Sequence, residues 1–235
     1  MVAMDKPLIG ADNRSMSGLL DLLLPSVCPL CVTAEGPMLC TGCLATLSPV
    51  INPCHWCGMP VTKSGSCGHC DERGFPHIAS TVVQWVYADG IERLVGSAKA
   101  AGRPAAVRAC TTLMPTLSLT GPALVVPVPA SPGRRHGPHL GTALAKAVAT
   151  VCGQPWAPWL QVTRLAREQH RLNVTQRHDN VIGLFFCPPR KGPPPNCVVL
   201  VDDLLTSGAT ASAAAGALRS AGVKDVILTV LARTL

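Results

Sequence analysis

Four Cys-x-x-Cys pairs follow one another near the start of the chain, and no other feature restricts its folding as strongly. The pairs consist of eight cysteines: Cys28, Cys31, Cys40, Cys43, Cys54, Cys57, Cys67 and Cys70. One such pair can direct two thiolates at one ion, and two pairs complete a tetrahedral all-thiolate zinc site. The segment has few large apolar residues and could hardly fold without metal or crosslinks. The sequence therefore predicts two structural zinc sites.

The grouping and the chemistry of these thiols have alternatives. We predict sequential grouping, the first four cysteines in one site and the last four in the other, because it closes small loops; an interleaved grouping is the alternative. Disulfides are disfavoured because nothing in the sequence indicates export. A redox dithiol is disfavoured because such a pair would be single and would open a helix after a strand. His55 and His69 stand beside candidate ligands, but the cysteine set is complete without them.

Outside these pairs, the remaining cysteines are isolated in apolar segments, where a buried thiol is the ordinary expectation. They are Cys110, Cys152, Cys187 and Cys197.

Charge is distributed unevenly along the 235 residues. The chain carries a net charge of +7, and 48% of its residues are hydrophobic, which excludes a disordered chain. Residues 1–74 contain four Lys and Arg against six Asp and Glu, so the basic excess lies after the cysteine-rich part. No apolar stretch is long enough to span a bilayer, and no secretion signal is recognisable. These features predict a cytoplasmic protein whose anion-attracting part follows residue 74.

Strand-like and helix-like segments alternate after the cysteine-rich part. Strands are predicted at 78–87, 123–128, 197–201 and 225–232, and helices at 89–102, 104–114, 138–151 and 207–221, with Asp89 as an N-cap. Short, continuously apolar strands between helices are typical of a parallel sheet covered on both faces. Ligands of such sheets bind outside the carboxyl ends of the strands. The residues that follow Val128 and Val201 are therefore candidates for a ligand site.

Two adjacent acids, Asp202 and Asp203, come directly after the apolar run 198–201. A loop of small and hydroxyl-bearing residues then opens a helix: Thr206, Ser207, Gly208, Ala209 and Thr210. The N–H groups at a helix start suit a phosphate, while the acids suit sugar hydroxyls or, through water, Mg²⁺. The purely structural alternative is a buried strand followed by a helix with a Ser or Thr cap. It would explain Ser207, but not two adjacent acids at a strand end, whose desolvation costs free energy unless they meet a ligand or a cation. A P-loop ATPase is excluded because the chain has no GxxxxGK[ST] motif.

The segment 198–210 resembles the motif with which type I phosphoribosyltransferases bind 5-phosphoribosyl-1-diphosphate (PRPP). From about residue 25 onward, the chain resembles the ComF family of competence-associated phosphoribosyltransferase-like proteins, which carry a cysteine-rich zinc head before such a domain. Further matching elements are Lys99-Ala100-Ala101-Gly102, Val126-Pro127-Val128-Pro129, the spaced Gln169, Leu172, Arg177 and Asn180, and the closing LTVLAR.

The resemblance implies an α/β fold of the type I phosphoribosyltransferase kind and Mg²⁺-dependent transfer of a phosphoribosyl group to an unknown acceptor. Its domains would be an N-terminal segment 1–24, a double zinc ribbon 25–74 and a phosphoribosyltransferase-like domain 75–235.

The resemblance also implies roles for single residues. Asp202 and Asp203 would be catalytic and hold the ribose hydroxyls, and residues 206–210 would hold the 5-phosphate. The remaining PRPP contacts would come from Lys99, from Arg134 and Arg135 near the diphosphate, and from Arg177 on a closing segment.

Two departures from the family pattern leave the function open. Ala100 stands where the family has an aromatic residue, and residues 134–139 differ from its arginine-rich stretch ending in Gly-Phe-Asn-Gln. PRPP binding without efficient transfer is therefore one alternative. Another is a non-catalytic adaptor that binds single-stranded DNA or proteins of the competence machinery. The 3% aromatic content provides few side chains to stack on bases.

Overall fold

A computed structural model describes residues 27–33, 39–61, 67–70, 74–100, 103–130, 140–163 and 183–235. In chain order its elements are α1 (Thr41–Ala45), β1 (Ser80–Val86), α2 (Asp89–Lys99), α3 (Pro104–Thr112), β2 (Leu124–Pro127), α4 (Leu140–Cys152), β3 (Gln161–Val162), β4 (Phe185–Phe186), β5 (Cys197–Leu205), α5 (Ala209–Ser220) and β6 (Asp225–Arg233).

A parallel four-stranded sheet in the order β1-β6-β5-β2 forms the centre of the molecule. Side chains of successive strand residues alternate between its two faces, so Val199 and Val201 pack into one core, and Val198 and Leu200 into the other. Helices α2, α3 and α4 cover the first face, and α5 with the small β3–β4 pair covers the second. Burial on both faces explains why these strands are continuously apolar, and it confirms the predicted covered parallel sheet.

The cysteine-rich segment packs along β1, the outer strand of the sheet. The Val50 N–H donates to the Gln84 carbonyl oxygen (2.9 Å), and the Val86 N–H donates to that of Ser48 (2.8 Å). Thr81 adds a third bond, from its N–H to the His55 carbonyl oxygen (2.8 Å). These bonds pair backbone N–H and C=O groups at the edge of the sheet. In an uncovered outer strand the same groups would have no hydrogen-bond partner in the protein.

Several predicted boundaries differ from the structure. Asp89 is not the N-cap of α2: Ala88 occupies that position without a side-chain cap, and Asp89 is the first helical residue, with φ of 39°. Strand β5 continues through both acids to Leu205, four residues beyond the predicted end, because β6 pairs with it over that length. Helix α5 begins at Ala209 rather than at Ser207.

Candidate functional site

The eight cysteines form two groups of four in the sequential order that the spacing predicts. Cys28, Cys31, Cys40 and Cys43 make the first cluster, and Cys54, Cys57, Cys67 and Cys70 make the second. Within each cluster, all four sulfur atoms lie within 4.8 Å of one another. The interleaved grouping is therefore excluded. The two histidines beside the pairs are in neither cluster, as expected.

Both clusters have the dimensions of a zinc site. Sulfur atoms bound at about 2.3 Å to one tetrahedral ion lie about 3.8 Å apart. The distance is 3.9 Å between the Cys31 and Cys40 sulfurs, and 3.8 Å for Cys57 with Cys67. Cys67 and Cys70 are closer, at 3.3 Å. None of the twelve cysteines forms a disulfide, so the disulfide alternative is not realised. The two four-cysteine clusters fit two structural zinc sites.

Local backbone groups stabilise the thiolate of Cys67 in the second cluster, whereas burial raises the pKa of Cys57. The N–H groups of Cys70 and His69 both donate to the Cys67 sulfur, at 3.4 Å each. These bonds lower the pKa of the Cys67 thiol to about 6, which favours the thiolate that zinc requires.

The four isolated cysteines bear out the expectation of burial only in part. Cys110 is fully buried, and burial raises its pKa to about 12. Cys152, Cys187 and Cys197 are only partly buried, although burial raises their pKa values as well.

The acid pair lies near the carboxyl edge of the sheet, beside the end of the neighbouring strand. Pro127 pairs with Val201, and the Val128 N–H donates to the Val201 carbonyl oxygen (2.8 Å). Asp202 and Asp203 follow immediately on β5, so the Val-Pro-Val-Pro element and the acids are neighbours. The two strand ends singled out in the sequence therefore meet at one place in the fold.

Lys99, the last residue of α2, forms an ion pair with Asp203. Its Nζ lies 2.8 Å from each carboxylate oxygen of Asp203, and the side chains are 23% and 15% exposed. The structure thus brings together two predicted site residues that are 104 positions apart in the chain.

Asp202 has a different environment from its neighbour. It is half-buried, and one of its carboxylate oxygens accepts the Asp203 N–H (2.9 Å). Burial, and secondarily the charge of Asp203, raise the pKa of Asp202 to about 7. A cation or hydroxyl donors placed beside this carboxylate would oppose that shift and favour its ionised form.

The predicted phosphate loop forms a turn that only glycine accommodates easily. Gly208 is the N-cap of α5 with φ of 79°, and a Cβ added there would collide with the Phe75 ring. Thr206 and Ser207 are exposed, and the Ser207 hydroxyl accepts the Ala209 N–H at 3.4 Å.

Two cavities adjoin this turn. A cavity of about 40 Å³ is lined by residues that include Asp202, Thr206, Gly208 and Thr210. A larger one, of about 510 Å³, lies between the cysteine-rich segment and the loop. It is lined by Met59, His69, Thr206, Ser207, Arg233, Thr234 and Leu235.

Three predicted PRPP contacts lie outside the described residues: Arg134, Arg135 and Arg177. The loop after Pro129, expected to meet the diphosphate, and the segment 164–180, expected to close over the site, lie largely or wholly in the ranges 131–139 and 164–182, which are not described.

Sequence reasoning missed the residues that connect the second cluster to the loop. Arg233 is only 2% exposed; its guanidinium carbon lies 5.7 Å from the centre of the Phe75 ring, and its Nη2 lies 3.5 Å from His69 Nε2. A single arginine in the closing LTVLAR gives no sign of burial. His69, set aside as a non-ligand, proves to contact the α/β domain.

Comparison with known proteins supports the N-terminal part of this description. The family model of the double zinc ribbon domain matches residues 19–71, which contain both cysteine clusters. The match ends before β1, so it concerns the zinc ribbon and not the α/β domain. No curated protein sequence matches the chain. None of the helices among the described residues is both long and apolar enough to cross a membrane.

Proposed function

We propose that this protein binds PRPP with Mg²⁺ and transfers its phosphoribosyl group to an acceptor, as the resemblance to ComF-family and type I phosphoribosyltransferases implies. The observation that carries the proposal is the meeting of Lys99, Asp202 and Asp203 beside the loop 206–210, where α/β proteins with parallel sheets bind ligands. A purely structural turn would not need two acids and a lysine there.

In this proposal the loop receives the 5-phosphate of PRPP. The N–H groups at the start of α5 and the hydroxyls of Thr206, Ser207 and Thr210 are the donors, and Gly208 allows close approach. Asp202 and Asp203 accept hydrogen bonds from the ribose hydroxyls. Lys99 forms an ion pair with Asp203 and so places a positive charge beside the two acids.

The same groups suit the chemistry of transfer. Departure of diphosphate leaves positive charge at the anomeric carbon, which nearby carboxylates stabilise electrostatically. Asp202 and Asp203 would hold Mg²⁺ through water, and the ion would supply positive charge to balance the charge that develops on diphosphate.

Isothermal titration calorimetry with PRPP and Mg²⁺ tests the binding site. We expect the double variant Asp202→Asn, Asp203→Asn to lose at least about tenfold in affinity, because charge-assisted hydrogen bonds are lost at both positions. Asp225→Asn is the matched control, since Asp225 is an exposed acid at the opposite end of the neighbouring strand β6. Unchanged affinity in a folded double variant would remove the assignment.

Transfer is tested separately from binding. The purified protein is incubated with Mg²⁺, PRPP and a panel of nucleobases and amines, and released diphosphate is measured. Acceptor-dependent release supports transfer. Tight binding of PRPP without release for any acceptor would replace transfer with the binding-only alternative.

A further inference from the structure

Arg233 is a buried cation with an incomplete set of partners. It is the only charged residue that is buried among those the structure describes, and its Nε and Nη1 are closed to solvent without a hydrogen-bond partner. Nη2 contacts His69 Nε2 at 3.5 Å, a long distance for a hydrogen bond. A guanidinium stays protonated in proteins, so burial requires a compensating negative charge.

The second cysteine cluster provides that charge. Within the described ranges no carboxylate pairs with Arg233; the ion pair found there joins Lys99 and Asp203. Burial lowers the pKa of Arg233, and negative charge on the four cysteines of the second cluster opposes that shift. His69, which Arg233 contacts, lies between the ligands Cys67 and Cys70.

Zinc bound to the second cluster would give that cluster a definite negative charge to match the positive charge of Arg233. One Zn²⁺ with four thiolates has a formal charge of −2, and a buried dianion is costly without nearby cations. We propose that Arg233 is the counter-ion of the second zinc site, and that zinc bound there holds the carboxyl end of β6 in place beside the loop 206–208. Nothing in this proposal depends on the ligand that the loop binds.

A short chain of contacts leads from the zinc site to the loop. The Arg233 guanidinium lies over the Phe75 ring, which packs against Gly208. The backbone beside Arg233 is fixed as well: its carbonyl oxygen accepts the Tyr87 N–H (2.7 Å), and the Thr234 N–H donates to the Leu205 carbonyl oxygen (3.1 Å). Loss of zinc from the second site should therefore loosen this end of the sheet before the rest.

The experiment compares the two zinc sites within one full-length chain. Zinc is withdrawn with increasing chelator, and alkylation of each cysteine is followed by mass spectrometry. In Arg233→Met we expect Cys54, Cys57, Cys67 and Cys70 to become reactive at about 10- to 100-fold lower chelator concentration, the usual effect of losing a residue that supports metal ligands. The first cluster should respond as in the wild type, and Arg233→Lys, which keeps the charge, should restore much of the loss.

Arg219→Met is the matched control, because Arg219 is an exposed arginine on α5 and should leave both clusters unchanged. Equal reactivity of the second cluster in wild type and in folded Arg233→Met would overturn the proposal. So would equal weakening of both clusters.

A second measurement uses the wild type alone, in case the methionine variant does not fold. Hydrogen exchange is recorded at the chelator concentration that empties only the second site. We expect the Tyr87 and Thr234 amides to exchange at least about tenfold faster, while the Val125 amide, bonded to the Pro155 carbonyl oxygen at the far strand β2, is unchanged. Unchanged exchange at Tyr87 and Thr234, or equal acceleration at Val125, would contradict the proposal.

Discussion

At the level of single residues, the half-buried carboxyl of Asp202 lowers the stability of the folded protein while it serves the proposed ligand site. The pKa of Asp202 lies near 7 in the folded protein and near 3.8 in an unfolded chain. Between these values the folded state binds a proton that the unfolded state releases, so the carboxyl of Asp202 lowers stability as pH rises from about 4 to 7. A group that costs stability at neutral pH is typical of binding and catalytic sites.

Replacing this carboxyl should stabilise the protein. We expect Asp202→Asn to raise the free energy of unfolding by about 1–3 kcal/mol at pH 8, and by less at pH 6, where the native carboxyl already holds its proton. Urea unfolding at both pH values measures the difference. Asp225→Asn, at an exposed position, should show no comparable gain. An Asp202→Asn variant less stable than the wild type at pH 8 would contradict the described environment of Asp202.

Gly208 and Gly96 should respond in opposite directions to the same substitution. Gly208→Ala puts a side chain at positive φ against the Phe75 ring, so we expect a loss of at least about 2 kcal/mol. Gly96 lies in α2 with open space around it, and alanine there should add about 0.5–1 kcal/mol through helix propensity. Thermal unfolding of both variants checks the pair; a tolerated Gly208→Ala would mean that the loop differs from the one described.

At the scale of elements, one ion pair joins the end of α2 to β5. Lys99→Met leaves the Asp203 carboxylate without its cation in a partly buried place, and we expect a loss of about 1–2 kcal/mol, below the cost at a fully buried pair. A double-mutant cycle with Asp203→Asn isolates the interaction, and Lys99→Arg is the charge-conserving control. Coupling close to zero would show that the pair adds nothing to the packing of α2 on the sheet.

Elements with strong local patterns were predictable from the sequence, and elements defined by partners were not. Strands β1 and β6 and helix α5 follow from apolar runs and from capping and breaking residues. The sequence ends β5 at Val201 because two acids follow, yet hydrogen bonding to β6 carries it to Leu205. The two-residue strands β3 and β4 are defined by their pairing with each other. They are too short to show a sequence pattern from which they could be predicted.

In the candidate site, too, the features set by local spacing were predictable and those set by long-range packing were not. Both cysteine clusters and their grouping follow from spacing, because a short loop limits where its own thiols can go. Lys99 and Asp203 were named as site residues, although spacing says nothing of the ion pair between them. Arg233 was missed, because its burial results from the packing of the zinc ribbon on β6, which is a long-range event.

At the scale of the whole molecule, the zinc ribbon is structurally part of the α/β domain. It pairs with the edge of β1, and its Leu30 and Leu47 contribute to the core beneath α2. Removing both zinc ions should therefore lower the melting temperature of the entire chain by roughly 5–10 °C, which corresponds to a few kcal/mol for a chain of this size. Calorimetry with and without chelator measures this, and re-addition of zinc is the control. An unchanged melting transition would show that the ribbon is an independent appendage.

A crystal structure of the full chain with PRPP and Mg²⁺ would show directly whether the loop 206–210 and the acid pair bind PRPP. We expect the 5-phosphate at the loop 206–210, on the N–H groups that open α5, and the ribose hydroxyls on Asp202 and Asp203. A loop without ligand at saturating PRPP, with Asp203 still paired to Lys99, would contradict this assignment.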